Sequence, residues 1–168
     1  IEIIIIDDGS TDDTGKIADE YKTKYPQIVK VIHQQNGGHG EGINQGVTHA
    51  EGIYFKVVDS DDWVDKGALS TVLDGLERLE AQGGADMCVS NYVYEYEDGR
   101  KSKRIRYANI FPDSGQIVSW SQTKRFSLKQ YLTLHSVLFR TEILKKQNYK
   151  LPKHISYEDN LFIYVPLP

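Results

Sequence analysis

The chain has 168 residues, 39% hydrophobic and 26% charged, which fits one ordinary globular domain able to bury about two-thirds of its unfolded surface. A net charge of −4 argues against nucleic acid as a partner held by bulk electrostatics. Cys88 is the only cysteine, which excludes a disulfide framework and points to a reducing, cytoplasmic setting, and no stretch approaches the ~20 apolar residues of a membrane span.

Strand and helix signals alternate along the chain. Residues 1–6 read as a strand apolar enough to need neighbours on both sides, so elements are expected before residue 1 and after residue 168. Ser10 or Thr11 can cap a helix over 12–25, with Asp12 and Asp13 in its first turn and Ile17, Ala18, Tyr21 and Tyr25 along one face. A strand follows at 28–34. The loop Asn36-Gly37-Gly38-His39-Gly40 leads into a helix to about residue 49, weakened by Gly42 and Gly46. Residues 53–58 then read as a strand buried on both faces, as in parallel sheets.

Asp65 caps the next helix, whose apolar positions Leu69, Val72, Leu73, Leu76 and Leu79 recur at helical spacing. Residues 85–96 and 101–107 form an antiparallel pair about the turn at Asp98-Gly99. Residues 108–123 look irregular. A helix near 127–134, a short strand near 136–139 and a helix near 141–146 complete the reading. Repeated βα units imply a parallel sheet with right-handed crossovers, made mixed by the hairpin.

Three acidic clusters punctuate this pattern. Asp7-Asp8-Gly9-Ser10-Thr11-Asp12 follows the first strand, where carboxylates can accept hydrogen bonds from a base or ribose; an acidic helix start explains it equally well. Asp59-Ser60-Asp61-Asp62 ends the 53–58 strand. Alternation sends Asp59 and Asp61 to one side, so both can converge on a divalent ion bound to a diphosphate. Tyr157-Glu158-Asp159-Asn160 lies among apolar residues and also reads as a capped helix start.

Together, and in order, these clusters and the stretches Asn36-Gly37-Gly38, Asn44-Gln45-Gly46 and Asp61-Asp62-Trp63 resemble the family 2 glycosyltransferases of the GT-A fold. The resemblance implies an α/β, Rossmann-like, mainly parallel mixed sheet flanked by helices. It implies a single, incomplete catalytic domain over 1–168, with residues 1–107 holding the nucleotide-sugar and 108–168 carrying the acceptor side and the base. The family's first strand–helix unit and C-terminal region have no counterpart in the chain.

The resemblance also assigns roles. Asp7 reads the base, with Asp8 and Gly9 beside it; Asn36, Gly37, His39 and Asn44 line the donor site. Asp59 and Asp61 are the Asp-x-Asp pair, holding manganese or magnesium on the diphosphate. Asp159 is the catalytic base, with Glu158 as substitute or support. Trp63 packs beneath the metal loop or stacks on a sugar, and His135 is a buried histidine or an acceptor contact. The implied reaction is an inverting transfer from a uridine-diphosphate sugar to a sugar or lipid-linked hydroxyl acceptor, in cell-surface polysaccharide or glycolipid synthesis.

Ile43 replaces the arginine common in the family's Arg-Asn-x-Gly signature, so His39 or loop amides would supply that contact. The basic run from Arg100 to Arg106 is a solvated arm, or meets a phosphate-rich acceptor or an anionic membrane at its inner face. Two rival readings stay open: a domain that binds nucleotide-sugars without turnover, and a haloacid-dehalogenase-like phosphotransferase, which lacks its leading aspartate because Ile6 stands there.

Overall fold

The computed structural model describes residues 1–111, 115–127 and 130–167. The chain forms two compact units, one of Ile1–Phe55 with Phe139–Pro168 and one of Lys56–Leu138.

In the first unit, β1 (Ile3–Asp7) and β2 (Val29–His33) pair in parallel, with α1 (Thr14–Lys24) as the crossover between them. The register places Asp7 opposite His33 at the strand ends. α2 (His39–His49) packs on β1. Gly46 in this helix is a close-approach position: a Cβ there would lie 3.1 Å from the Phe55 ring. Its helix-weakening cost therefore secures packing. β3 (Tyr54–Phe55) pairs antiparallel with β7 (Val137–Arg140) through Tyr54–Arg140 and Phe55–Phe139. α4 (Thr141–Gln147) and the short α5 (Glu158–Tyr164) follow. Phe162 of α5 packs its ring against Phe55 at 6.2 Å and edge-on against Phe139 at 5.6 Å. With Ile43, Leu144, Leu151 and Ile163, it belongs to the buried apolar core of this unit.

The second unit contains α3 (Lys66–Glu80), β4 (Met87–Val89) and the antiparallel pair β5 (Tyr92–Tyr94) and β6 (Lys103–Ile105). Asp65 caps α3 by accepting from the Ala68 amide at 2.7 Å, and Leu76 and Leu79 bury its apolar face. Ile110, Leu132, Leu134 and Val137 are buried in the same unit, and the Tyr107 hydroxyl donates to the Tyr131 carbonyl at 2.8 Å.

Several elements differ from expectation. The strand read over 53–58 shrinks to two residues, and its pairing is antiparallel rather than parallel. Ile53 and Val58 are 56% and 49% exposed, so apolarity there does not report burial on two faces. The strand read over 85–96 breaks into β4 and β5, and the Ser90 amide between them donates to the Ser136 carbonyl at 2.7 Å, just before β7. Of the helix read near 127–134, residues 128–129 lie outside the described residues. Residues 130–133 are irregular, and Leu134–Ser136 forms a 3-10 turn instead. A further 3-10 turn, Trp120–Gln122, falls within the stretch read as irregular.

Candidate active site

The end of β1 carries a dense set of side-chain hydrogen bonds. Asp7 is buried, and its Oδ1 accepts from the Ser10 amide at 3.0 Å. Its Oδ2 lies 2.7 Å from His33 Nδ1, while His33 Nε2 faces Asp19 at 3.3 Å. An ionised carboxylate can only accept, so a carboxylate on each ring nitrogen favours the cationic form of His33. Hydrogen bonds from Ser10 and His33 hold the Asp7 carboxyl down at about 2, and Asp7 and Asp19 raise the pKa of His33. Gly15 leaves room for this pair, since a Cβ there would lie 2.6 Å from Asp7 Oδ2.

Asp8 turns the other way and organises the glycine loop. Its Oδ1 accepts from Gln34 Nε2 at 2.6 Å and from the Gly37 amide at 2.8 Å, and its Oδ2 accepts from the Gly38 amide at 2.8 Å. Gly9, at φ 78°, lets the turn approach so closely that a Cβ would meet the Asn36 amide at 2.9 Å. Asn36 itself is exposed. Asn44 clasps the backbone of Leu151: its Nδ2 donates to the carbonyl and its Oδ1 accepts from the amide, both at 2.9 Å. The side chains of Asp8 and Asn44 thus hold the loop and the 151 segment in place.

At the start of α2, His39 Nδ1 lies 2.8 Å from Glu158 Oε1. Glu158 is 6% exposed, and its Oε2 has no hydrogen-bond partner among the described residues. An unmatched buried carboxylate oxygen costs on the order of 1–3 kcal/mol. Asp159, next along α5, is exposed. One ligand atom each from His39, Glu158 and Asp159 lies within 4.8 Å of the others.

In the second unit, Asp59, Asp62 and His135 bring one ligand atom each within 4.8 Å of the others, and His135 Nδ1 lies 2.8 Å from Asp62 Oδ2. Two carboxylates and an imidazole fit a divalent ion, manganese better than magnesium because of the nitrogen. Asp62, rather than Asp61, completes this group. Asp61 is exposed and makes no hydrogen bond or ion pair among the described residues. The 3.0 Å bond from the Asp62 amide to the Asp59 carbonyl makes a tight turn, so strand alternation no longer governs where these side chains point. Lys56, whose Nζ donates to the His135 carbonyl at 2.8 Å, fixes the backbone at the histidine. Burial pushes its ammonium pKa down, against the pull of Asp62 and Asp59. Trp63 is 70% exposed, which overturns the reading of a ring packed beneath the loop.

His33 and Lys56 were not among the residues singled out by motif, and Asp62 stood in the acidic motif without a role of its own. The parallel register opposite Asp7 would have pointed to His33. The other two depend on a partner at residue 135 that no local pattern reveals.

An acidic turn after β1, a glycine loop opening a helix, and a second acidic turn after β3 are the marks of the GT-A fold, the architecture of nucleotide-sugar transferases. The sequence pattern of glycosyl transferase family 2 matches residues 1–147, and the chain belongs to that family. Glycosyltransferase GlyG of Streptococcus pneumoniae is 39% identical over 101 residues, covering 59% of this chain and 32% of the relative. A cholesterol galactosyltransferase of Borreliella burgdorferi is 30% identical over 169 residues, covering 96% of this chain and 46% of the relative. Among solved structures, S. aureus TarS 1–349 in complex with UDP superposes with a TM-score of 0.69 at 26% identity, over 96% of this chain and 44% of that one. The chain spans less than half the length of these relatives. Among the described residues no helix is long and apolar enough to cross a membrane.

Proposed function

We propose that this chain carries the donor-binding and base-bearing parts of an inverting glycosyltransferase. It moves a sugar from a uridine-diphosphate donor to a hydroxyl of a sugar or lipid-linked acceptor, in polysaccharide or glycolipid synthesis at the cytoplasmic face of a membrane. Residues 1–107 serve the donor and 108–168 the acceptor and the base. The observation that carries this reading is the grouping of Asp59 and Asp62, on the acidic turn after β3, with His135. Support for the uridine donor comes from the TarS neighbour, solved with UDP.

Asp7, held ionised, accepts from a base N–H, and the Gly37 and Gly38 amides, already bonded to Asp8, shape the donor loop rather than meet the phosphates. Asp59 and Asp62 with His135 hold the divalent ion, which neutralises charge on the leaving diphosphate when bound. Asp159 takes the proton from the acceptor hydroxyl as its oxygen bonds to the anomeric carbon. The carbon–oxygen bond to the diphosphate breaks, and its electron pair leaves on the diphosphate. Glu158 sets the position of His39 beside this base.

Calorimetric titration with UDP, with and without manganese, tests the donor site. Wild type binds in a manganese-dependent way and Asp59→Ala does not; equal binding without metal sinks the assignment. In the full-length protein, Asp159→Asn lowers turnover by roughly 10²–10⁴-fold while UDP affinity survives. Loss of nucleotide affinity instead would remove Asp159 from the role of base.

A further inference from the structure

We propose that His39, Glu158 and Asp159 form a second divalent-cation site, built from none of Asp59, Asp62 and His135, that takes an imidazole-binding transition ion of the zinc class. Two observations meet here. One ligand atom from each of the three residues lies within 4.8 Å of the others. Independently, Glu158 is buried with one oxygen 2.8 Å from the imidazole and the other without a partner. Buried carboxylate oxygens are almost always matched, and an unmatched one inside a ligand cluster marks the place of a missing positive charge. The 2.8 Å between nitrogen and oxygen is that of a hydrogen bond, shorter than the roughly 3.4 Å between two ligands of a tetrahedral ion, so the pair parts slightly to take one.

The three side chains are also fixed from behind. Gly38, at φ 81°, and Gly40 start α2 tightly against His154 and Pro152, where a Cβ would meet backbone at 3.0 and 2.9 Å. Phe162 and Ile163, one turn further along α5, are buried and anchor the helix. His39 and Asp159 are exposed, so an ion has an entry path and keeps water on its open side. One imidazole with two carboxylates selects zinc or manganese over calcium and magnesium, which prefer oxygen alone.

A consequence rests on the proposed role of Asp159. An ion bound to that carboxylate occupies the oxygen that would receive the acceptor proton, so filling the site slows transfer.

Zinc uptake by the whole protein, measured by equilibrium dialysis under excess magnesium, tests the site. Wild type takes up one zinc more than either His39→Ala or Glu158→Gln, and the same difference persists when Asp62→Ala is added to each. X-ray absorption of zinc-loaded Asp62→Ala shows one imidazole in an otherwise oxygen shell, a readout that stands even where the Glu158 variant fails to fold. Equal uptake by wild type and His39→Ala, or a shell with two imidazoles or sulfur, overturns the proposal. Zinc that binds in this way yet leaves sugar transfer unchanged upholds the site and removes Asp159 from the role of base.

Discussion

Asp7 and Asp8 end β1 with oxygens taken up by the protein itself: the Ser10 amide, His33, Gln34 and the amides of Gly37 and Gly38. The turn from Asp59 to Asp62 has a backbone bond across it, one imidazole on Asp62, and an exposed Asp61 with no bonded partner among the described residues. Both turns look alike as text, carboxylates after an apolar run. The first shows how acidic residues hold a loop through its own amides, and the second presents the group proposed above to hold a cation. Matching donors make the difference, because a carboxylate already bonded to several N–H groups, as Asp8 is, gains little from an ion.

The strongest way to break this contrast is at the second turn. Asp62→Ala weakens manganese-dependent UDP binding by roughly 10–100-fold, whereas Asp61→Ala has the smaller effect, both read by calorimetry. The reverse order would return the ligand role to Asp61. At the first turn the expected loss is in stability. Asp8→Ala leaves the Gly37 and Gly38 amides unmatched and costs about 1–3 kcal/mol in denaturant unfolding. An unchanged midpoint would show that the loop holds without its carboxylate.

The smallest effect is in pH dependence. Asp7 titrates at about 2 in the fold, below its unfolded value of ~3.9, so its contribution is complete above ~4 and is lost as pH falls toward 2. The pKa of His33 is raised above its unfolded ~6.5, so its contribution is complete below that pH and is lost as pH climbs through the raised value. The pair therefore stabilises most between ~4 and ~6.5. Carboxyl NMR places the Asp7 midpoint higher in His33→Ala than in wild type; an unmoved midpoint would detach the two groups.

Much of the fold was legible because its signals are local. The Asp65 cap, the helical spacing of Leu69 to Leu79 and the parallel unit around α1 all appear where the residue pattern puts them. The stretch at 53–58 was not, since a short apolar run looks the same whether buried in a parallel sheet or half-exposed beside an antiparallel neighbour. The site divides along the same line. Motif order picked out Asp7, Asp59, Glu158 and Asp159, but not that Asp8 and Asn44 would bond to backbone, nor that Asp62 would meet His135. Those partners are brought together by the chain's return, which no short window of sequence records.

Phe162 gives the short α5 a further meaning. Seven residues are too few to hold a helix in water unaided, so its position is set by an aromatic plug seated between Phe55 and Phe139. Asp159 lies three residues earlier, one turn up the same helix. The aim of the acidic group is thus decided by grease at the far end of a lever, and slack in that socket would blunt the chemistry with every polar atom still in place.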